Sequence, residues 1–282
     1  MMAIVGRRFT TSSATLLTVN GLAFDAAGTL WVASADDSLL LAFSAEALGA
    51  SGPGVASRVI APVDRSLSAP AAIAFDGLQR LWVANFVAGT LVRFDPAQLA
   101  AGGAPTPAVT LRGLSRPTAL AFDESGSLWV ASAHTNLVVK YSAAQLDVSG
   151  APIPEVVLSG FGSALSNPFA LAFDAFGTLW VTNVGKGTIV GFGSQKLEAA
   201  GSPAPDVELS TSTFPFGIPI GLAFDGEGNL WVVSGEGALL ELTRTQLAAS
   251  GAPEPKARLF VAGHTLLSGL AFWPKPNGLP IN

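Results

Sequence analysis

One phrase governs what this chain can fold into, because it returns at a nearly fixed interval from one end to the other. It reads Leu22-Ala23-Phe24-Asp25, Ile73-Ala74-Phe75-Asp76, Leu120-Ala121-Phe122-Asp123, Leu171-Ala172-Phe173-Asp174, Leu222-Ala223-Phe224-Asp225 and, last, Leu270-Ala271-Phe272-Trp273. Its phenylalanines lie 51, 47, 51, 51 and 48 residues apart, so six copies occupy essentially all of the 282 residues. A period of this length means one supersecondary unit per copy, unable to bury its apolar faces without its neighbours.

In the first five copies Phe-Asp is followed by two residues, usually a Gly, and then by Leu-Trp-Val (Leu30-Trp31-Val32, Leu81-Trp82-Val83, Leu128-Trp129-Val130, Leu179-Trp180-Val181, Leu230-Trp231-Val232). Asp-x-x-Gly between two short apolar runs is a hairpin turn, with Asp accepting backbone N–H groups and Gly supplying positive φ. A third run follows, such as Leu91-Val92-Arg93-Phe94, and after a longer connection a fourth, such as Val109-Thr110-Leu111. That connection holds Ala97-Gln98-Leu99, a helical turn ended by Gly, and a Pro-x-Pro that brings the chain back extended. Four short strands per unit are the arithmetic of a β-propeller blade. The first two runs are apolar at successive positions, as in sheets covered on both faces.

The two ends match as well. The last copy stops after Leu279-Pro280-Ile281, while Ala3-Ile4-Val5-Gly6 resembles Thr188-Ile189-Val190-Gly191 and Ala14-Thr15-Leu16-Leu17 leads into the first copy. The expected fold is therefore all-β: a single six-bladed β-propeller with four antiparallel strands per blade. Blades one to five are expected at about 19–62, 68–112, 116–160, 167–211 and 218–261, and the sixth is shared, two strands plus two, by 1–18 and 264–282.

Composition narrows the function classes. Only 12% of residues are charged, about half the usual quarter, which suits blades that shield one another. With 15 basic against 20 acidic residues and no basic run, the chain offers little to nucleic acid. There is no cysteine for a disulfide or thiolate site, and no apolar run long enough for a membrane-spanning helix. The sparse charge and the Ala/Ser/Gly/Thr-rich surface point to an exported bacterial or cell-envelope protein, and a monomer is expected.

The recurring Ala-Phe-Asp-x-x-Gly-x-Leu-Trp-Val resembles the NHL-repeat propellers and their relatives, the gluconolactonase/senescence-marker and virginiamycin B lyase families. The resemblance implies the scaffold. The gluconolactonase Glu-Gly-Pro segment before a Trp is absent here, and the histidine-rich metal site of NHL-type amidating lyases has only His134 and His264 to draw on. Virginiamycin B lyase shares Gly-x-Leu-Trp, but its His/Glu pair has no clear match. The resemblance brings no catalytic residue with it.

Ligands of propellers are expected on the face carrying the loops from strand two to three and from strand four to the next blade. Ser34, Asn85, Ser132, Asn183 and Ser234 occupy equivalent places there and are expected to cap their own turns. Phe86, Phe161, Phe169, Phe214 and Phe216 would form an apolar lip at the channel mouth, with Arg116 and Asn167 as its polar companions. This suggests a binding propeller for a small apolar molecule or a peptide, with no cofactor required. The alternative is a metal-dependent hydrolase or lyase, its divalent cation held by His134, His264, Asp36 and Glu236. The repeated aspartates and tryptophans are expected to be structural.

Overall fold

The structure is a computed structural model that describes residues 2–3, 9–10, 19–49, 54–159, 164–210, 218–260 and 270–273. Its seed is the turn after each Phe-Asp. Asp25, Asp76, Asp123, Asp174 and Asp225 each accept, at Oδ1, the backbone N–H groups two and four residues on, at 2.8–3.0 Å. Oδ2 of the same carboxylate accepts the indole N–H six residues on. The distances are 3.1 Å for Trp31, 3.3 Å for Trp82, 2.9 Å for Trp129, 3.0 Å for Trp180 and 2.9 Å for Trp231. The turn closes on Gly28, Gly126, Gly177 and Gly228 at φ 75–79°, and in the second blade on Gln79 at φ 60°. One side chain thus shapes the hairpin and aims the tryptophan.

Five four-stranded antiparallel sheets result, each with its strands in chain order. The first contains Val19–Phe24, Leu30–Ser34, Leu39–Phe43 and Arg58–Ile60. The second contains Pro70–Phe75, Leu81–Asn85, Thr90–Phe94 and Val109–Arg112. The third is Pro117–Phe122, Leu128–Ser132, Leu137–Tyr141 and Val156–Ser159, and the fourth Pro168–Phe173, Leu179–Asn183, Thr188–Phe192 and Val207–Leu209. The fifth is Pro219–Phe224, Leu230–Ser234, Ala238–Leu242 and Ala257–Phe260. In the connection to strand four, Gln98 and Gln145 accept Asp95 N–H and Ser142 N–H at their Oε1. Each donates through Nε2 to the returning chain at Thr106 and Ile153.

The core lies between blades. Alternate residues of a strand point to alternate neighbours, so both faces are apolar; Trp82, Ala84 and Leu91, for instance, pack on Leu120, Phe122 and Leu128 of the next sheet. Each tryptophan reaches across: Trp31 meets Phe75 edge-on at 6.3 Å, Trp129 meets Phe173 at 6.2 Å and Trp180 meets Phe224 at 6.4 Å. At the rim the outer strand of one blade pairs with a glycine in the next blade's connection, at Ile60–Gly103, Leu111–Gly150, Leu158–Gly201 and Leu209–Gly251. Two main-chain hydrogen bonds close each clasp, as in Gly103 N–H to Val59 O at 2.7 Å and Ala61 N–H to Gly103 O at 2.8 Å.

The blade count corrects the expectation of six. Among the described residues there are five four-stranded blades, and head meets tail only in a two-residue pair, Met2 opposite Trp273 and Ala3 opposite Phe272. Phe9–Thr10 runs parallel to Gly54–Val55 of the first blade's connection rather than extending that pair. The physical reason is in the last copy: Trp273 replaces the turn aspartate, no Leu-Trp-Val follows, and Pro274 and Pro276 lack the N–H a ladder requires. Phe161, Phe214, Phe216 and His264 lie outside the described residues, as does most of 1–18 and 264–282. Among the described residues no helix is long and apolar enough to cross a membrane.

Trp129 is 1% exposed and joins two blades, so Trp129→Ala is expected to cost about 3–5 kcal/mol. Val63 is 87% exposed, and Val63→Ala should stay within about 0.5 kcal/mol. Urea denaturation of the two variants beside the parent chain checks both.

Candidate functional site

The equivalent polar residues at the ends of the second strands work inside the fold. Asn85 accepts Ser68 N–H at 3.0 Å and donates to Ser66 O at 2.8 Å, and Asn183 likewise accepts Ser166 N–H at 3.1 Å and donates to Ala164 O at 2.8 Å. Ser132 donates to Ser115 O, Ser34 donates to Asp37 at 2.8 Å, and Ser234 accepts Glu236 N–H at 3.2 Å. All five are buried. They hold the loops of this face and leave no ring of free polar groups.

The central channel is built by the first strands, and a register irregularity decides what lines it. In every blade the pairing of strands one and two slips by one residue near the loop end, for example between Pro117 and Ala119. A bulge of this kind re-aims a side chain and is common beside binding sites. The extra residues are Asn20, Ala71, Thr118, Phe169 and Ile220, and all five line the channel. Below them runs a tier of small residues: Gly21, Ala72, Ala119, Ala170 and Gly221. The next tier is Leu22, Ile73, Leu120, Leu171 and Leu222, joined by Leu270. Gly21 is required there, because a Cβ would come within 2.9 Å of Ile73 N. Two tiers are uniform and the bulged tier varies in size and polarity. The enclosed space is about 160 Å³, and Thr118 spends its hydroxyl on Pro168 O at 3.1 Å.

Of the expected mouth residues, Phe169 belongs to the channel wall. Phe86 and Arg116 are brought together on the rim between the second and third blades, the guanidinium 5.6 Å from the ring centre. Asn167 sits on the next rim, its N–H donating to Asn136 Oδ1 at 2.6 Å, and both it and Arg116 have positive φ (53° and 49°). Phe86 and Arg116 do not line the channel. Of the expected metal ligands, Asp36, His134 and Glu236 are exposed on the loops of three different blades. Among the described residues no three His, Asp or Glu side chains gather as a cation site.

Sequence reasoning missed a larger cavity of about 440 Å³ on the opposite face, in the cleft between the fourth and fifth blades. Its floor includes Trp180, its rim carries Asp174, Asp206, Asp225 and Glu227, and Arg244 lies over the ring of Phe176 at 4.4 Å. Phe176 is 64% exposed, an unusual place for an aromatic in a turn, and that residue was the available signal. Asp206 is held below the usual carboxylate range by Lys196, 2.7 Å away, and by Gly193 N–H. For Asp225, burial pushes the pKa up. The Trp231 indole, the Asn229 backbone and side chain and Glu227 N–H outweigh it and hold the group below its ordinary value.

No family profile matches this chain, and no curated protein matches it. Solved structures do. A streptogramin B lyase structure is 14% identical over 86% of this chain and 69% of its own, with a TM-score of 0.60. A virginiamycin B lyase from Staphylococcus aureus is 12% identical over 86% of this chain and 70% of its own, also at 0.60. The extracellular domain of a hybrid two-component system from B. thetaiotaomicron is 18% identical over 82% of this chain and 30% of its own, at 0.57. This is a likeness of fold. The chain is an all-β propeller of the shape found in virginiamycin B lyases, and NHL membership has no such support.

The lowered Asp225 pKa makes a pH prediction. The folded chain holds this carboxylate ionised where the unfolded chain has begun to protonate it. Its stabilisation is complete above the unfolded value near about pH 4 and is lost as pH falls through the lower folded value. Asp225→Asn should therefore flatten the acid side of the stability curve, read as urea midpoints between pH 7 and pH 2.

Proposed function

We propose that this chain is an exported, non-catalytic binding propeller whose central channel takes a small, largely apolar molecule through the loop face. The observation that carries this reading is the bulged tier: five equivalent backbone irregularities turn Asn20, Ala71, Thr118, Phe169 and Ile220 into a channel otherwise walled by uniform small and aliphatic residues. A repeated scaffold with one variable layer is where specificity is grafted. A space of 160 Å³ is close to the roughly 150 Å³ apolar cavity that admits benzene. Asn20 and Thr118 supply the few polar groups that orient a ligand in such a site. The reading of export draws on the structural neighbours described as extracellular domains.

A thermal-shift series with benzene, indole and cyclohexanol tests the channel. At least one is expected to raise the Tm, each kcal/mol of binding being worth about 2–4 °C in a chain of this size. Ala71→Phe places in the second blade what Phe169 already places in the fourth, so it should fold normally and abolish the shift. Unchanged ligand shifts in Ala71→Phe would overturn the assignment.

A second reading is a lyase with a divalent cation drawn from His134, His264, Asp36 and Glu236, and its support is the description of the structural neighbours as lyases. Incubation with quinupristin, the compound bound to one such neighbour, separates the two readings. Loss of the parent compound that EDTA suppresses favours the lyase; persistence of the compound with and without Mg²⁺ favours the binding protein.

A further inference from the structure

Three blades share a device on the face opposite the loops. A cation lies over the tryptophan of the second strand: Arg58 over Trp31 at 5.8 Å, Arg93 over Trp82 at 5.9 Å and Lys140 over Trp129 at 5.8 Å. Arg93 and Lys140 stand directly across from their tryptophans on the third strand. In the first blade that place is Ala42, and the cation comes from Arg58, across from Ala42 on the fourth strand. Carboxylates complete the seat. Arg93 pairs with Asp95 at 3.0 Å and Asp147 at 3.1 Å, and Lys140 approaches Asp123 at 3.9 Å.

The fourth blade keeps the seat and lacks the occupant. Its two equivalent places hold Gly191 and Val207. Gly191 lies flat against the indole, where a Cβ would come within 3.2 Å of Trp180 Cη2. None of the cation–ring contacts among the described residues involves Trp180. The 440 Å³ cavity opens there, with Trp180 in its wall. Four carboxylates line it against the single cation Arg244, itself laid on Phe176, and Lys196 just outside neutralises part of Asp206. An aromatic face beside fixed negative charge is the chemistry that recognises organic cations.

We propose that the cleft between the fourth and fifth blades, walled by Trp180 and rimmed by Asp206 and Glu227, is a binding site for an alkylguanidinium ligand. The ligand's planar cation takes over Trp180 the position that Arg58 takes over Trp31. The site is separate from the central channel, so it stands or falls independently of the proposed function. A free small guanidine and the arginine side chain of a peptide present the same group, and the measurement distinguishes them.

Isothermal titration of the full chain with n-butylguanidinium chloride, against its neutral analogue n-butylurea, tests the cation requirement. The guanidinium is expected to bind roughly tenfold more tightly than the urea, in line with a partly desolvated cation–aromatic contact. Val207→Arg reproduces the arrangement of the first blade with an internal cation and should weaken the guanidinium at least about tenfold, with an unchanged circular dichroism spectrum. Glu227→Gln, at an exposed position that does not test folding, should weaken it about threefold. A capped Gly-Arg-Gly peptide binding more tightly than butylguanidinium identifies a peptide as the source; equal or weaker binding identifies a small molecule. Equal binding of urea and guanidinium, no binding of either, or full binding by both variants overturns the proposal; should Val207→Arg fail to fold, Glu227→Gln decides alone.

Discussion

The structure depends on one carboxylate per blade doing two jobs. Oδ1 fixes a tight turn by collecting two backbone N–H groups, and Oδ2 holds an indole N–H whose ring then reaches the phenylalanine of the next sheet. Local geometry and inter-blade packing are thereby coupled through a single residue. Loss of the carboxylate would leave buried donors without a partner and a large side chain without its anchor, and each of those is costly inside an apolar interface. Two such couplings flank every interior blade, so the ring is cooperative although its strands are short.

Much of this was legible in the sequence because the clip uses residues at fixed offsets. Asp123 and Trp129, six apart, recur with their neighbours in five copies, and the hairpin, the strand count and the two-sided burial all follow from them. The sixth copy shows the limit of reading by analogy. Leu270-Ala271-Phe272 looks like an opening strand, but Trp273 stands where the turn carboxylate should be and the prolines beyond it cannot donate. An apolar motif alone counted as a blade on paper; without the clip, head and tail make a two-residue contact.

The site was harder to read, for reasons that lie in pairing rather than composition. Which residue of Pro117-Thr118-Ala119 faces the channel depends on a one-residue slip against the second strand, and nothing in the linear order of those residues announces it. Phe86 and Arg116 were rightly placed on one face, yet their meeting is a cation–ring contact on the rim rather than part of the channel wall. The cleft beside Trp180 was invisible for a similar reason. Gly191 reads as an ordinary variation in a third strand until the ladder sets it opposite an indole, where Arg93 and Lys140 stand in sister blades. The aspartates did look like an acidic cluster and are turn caps, while two of them also border that cleft.

The clasps at the rim have a consequence for how such a chain can change. From Ile60–Gly103 to Leu209–Gly251, the outer seam between successive sheets is stitched by peptide groups, and the glycine contributes only its backbone. A seam of that kind makes few demands on side-chain identity, so substitutions along the circumference leave it intact. Each unit behaves there as an interchangeable cassette, free to acquire a surface of its own while the circle it belongs to keeps its curvature.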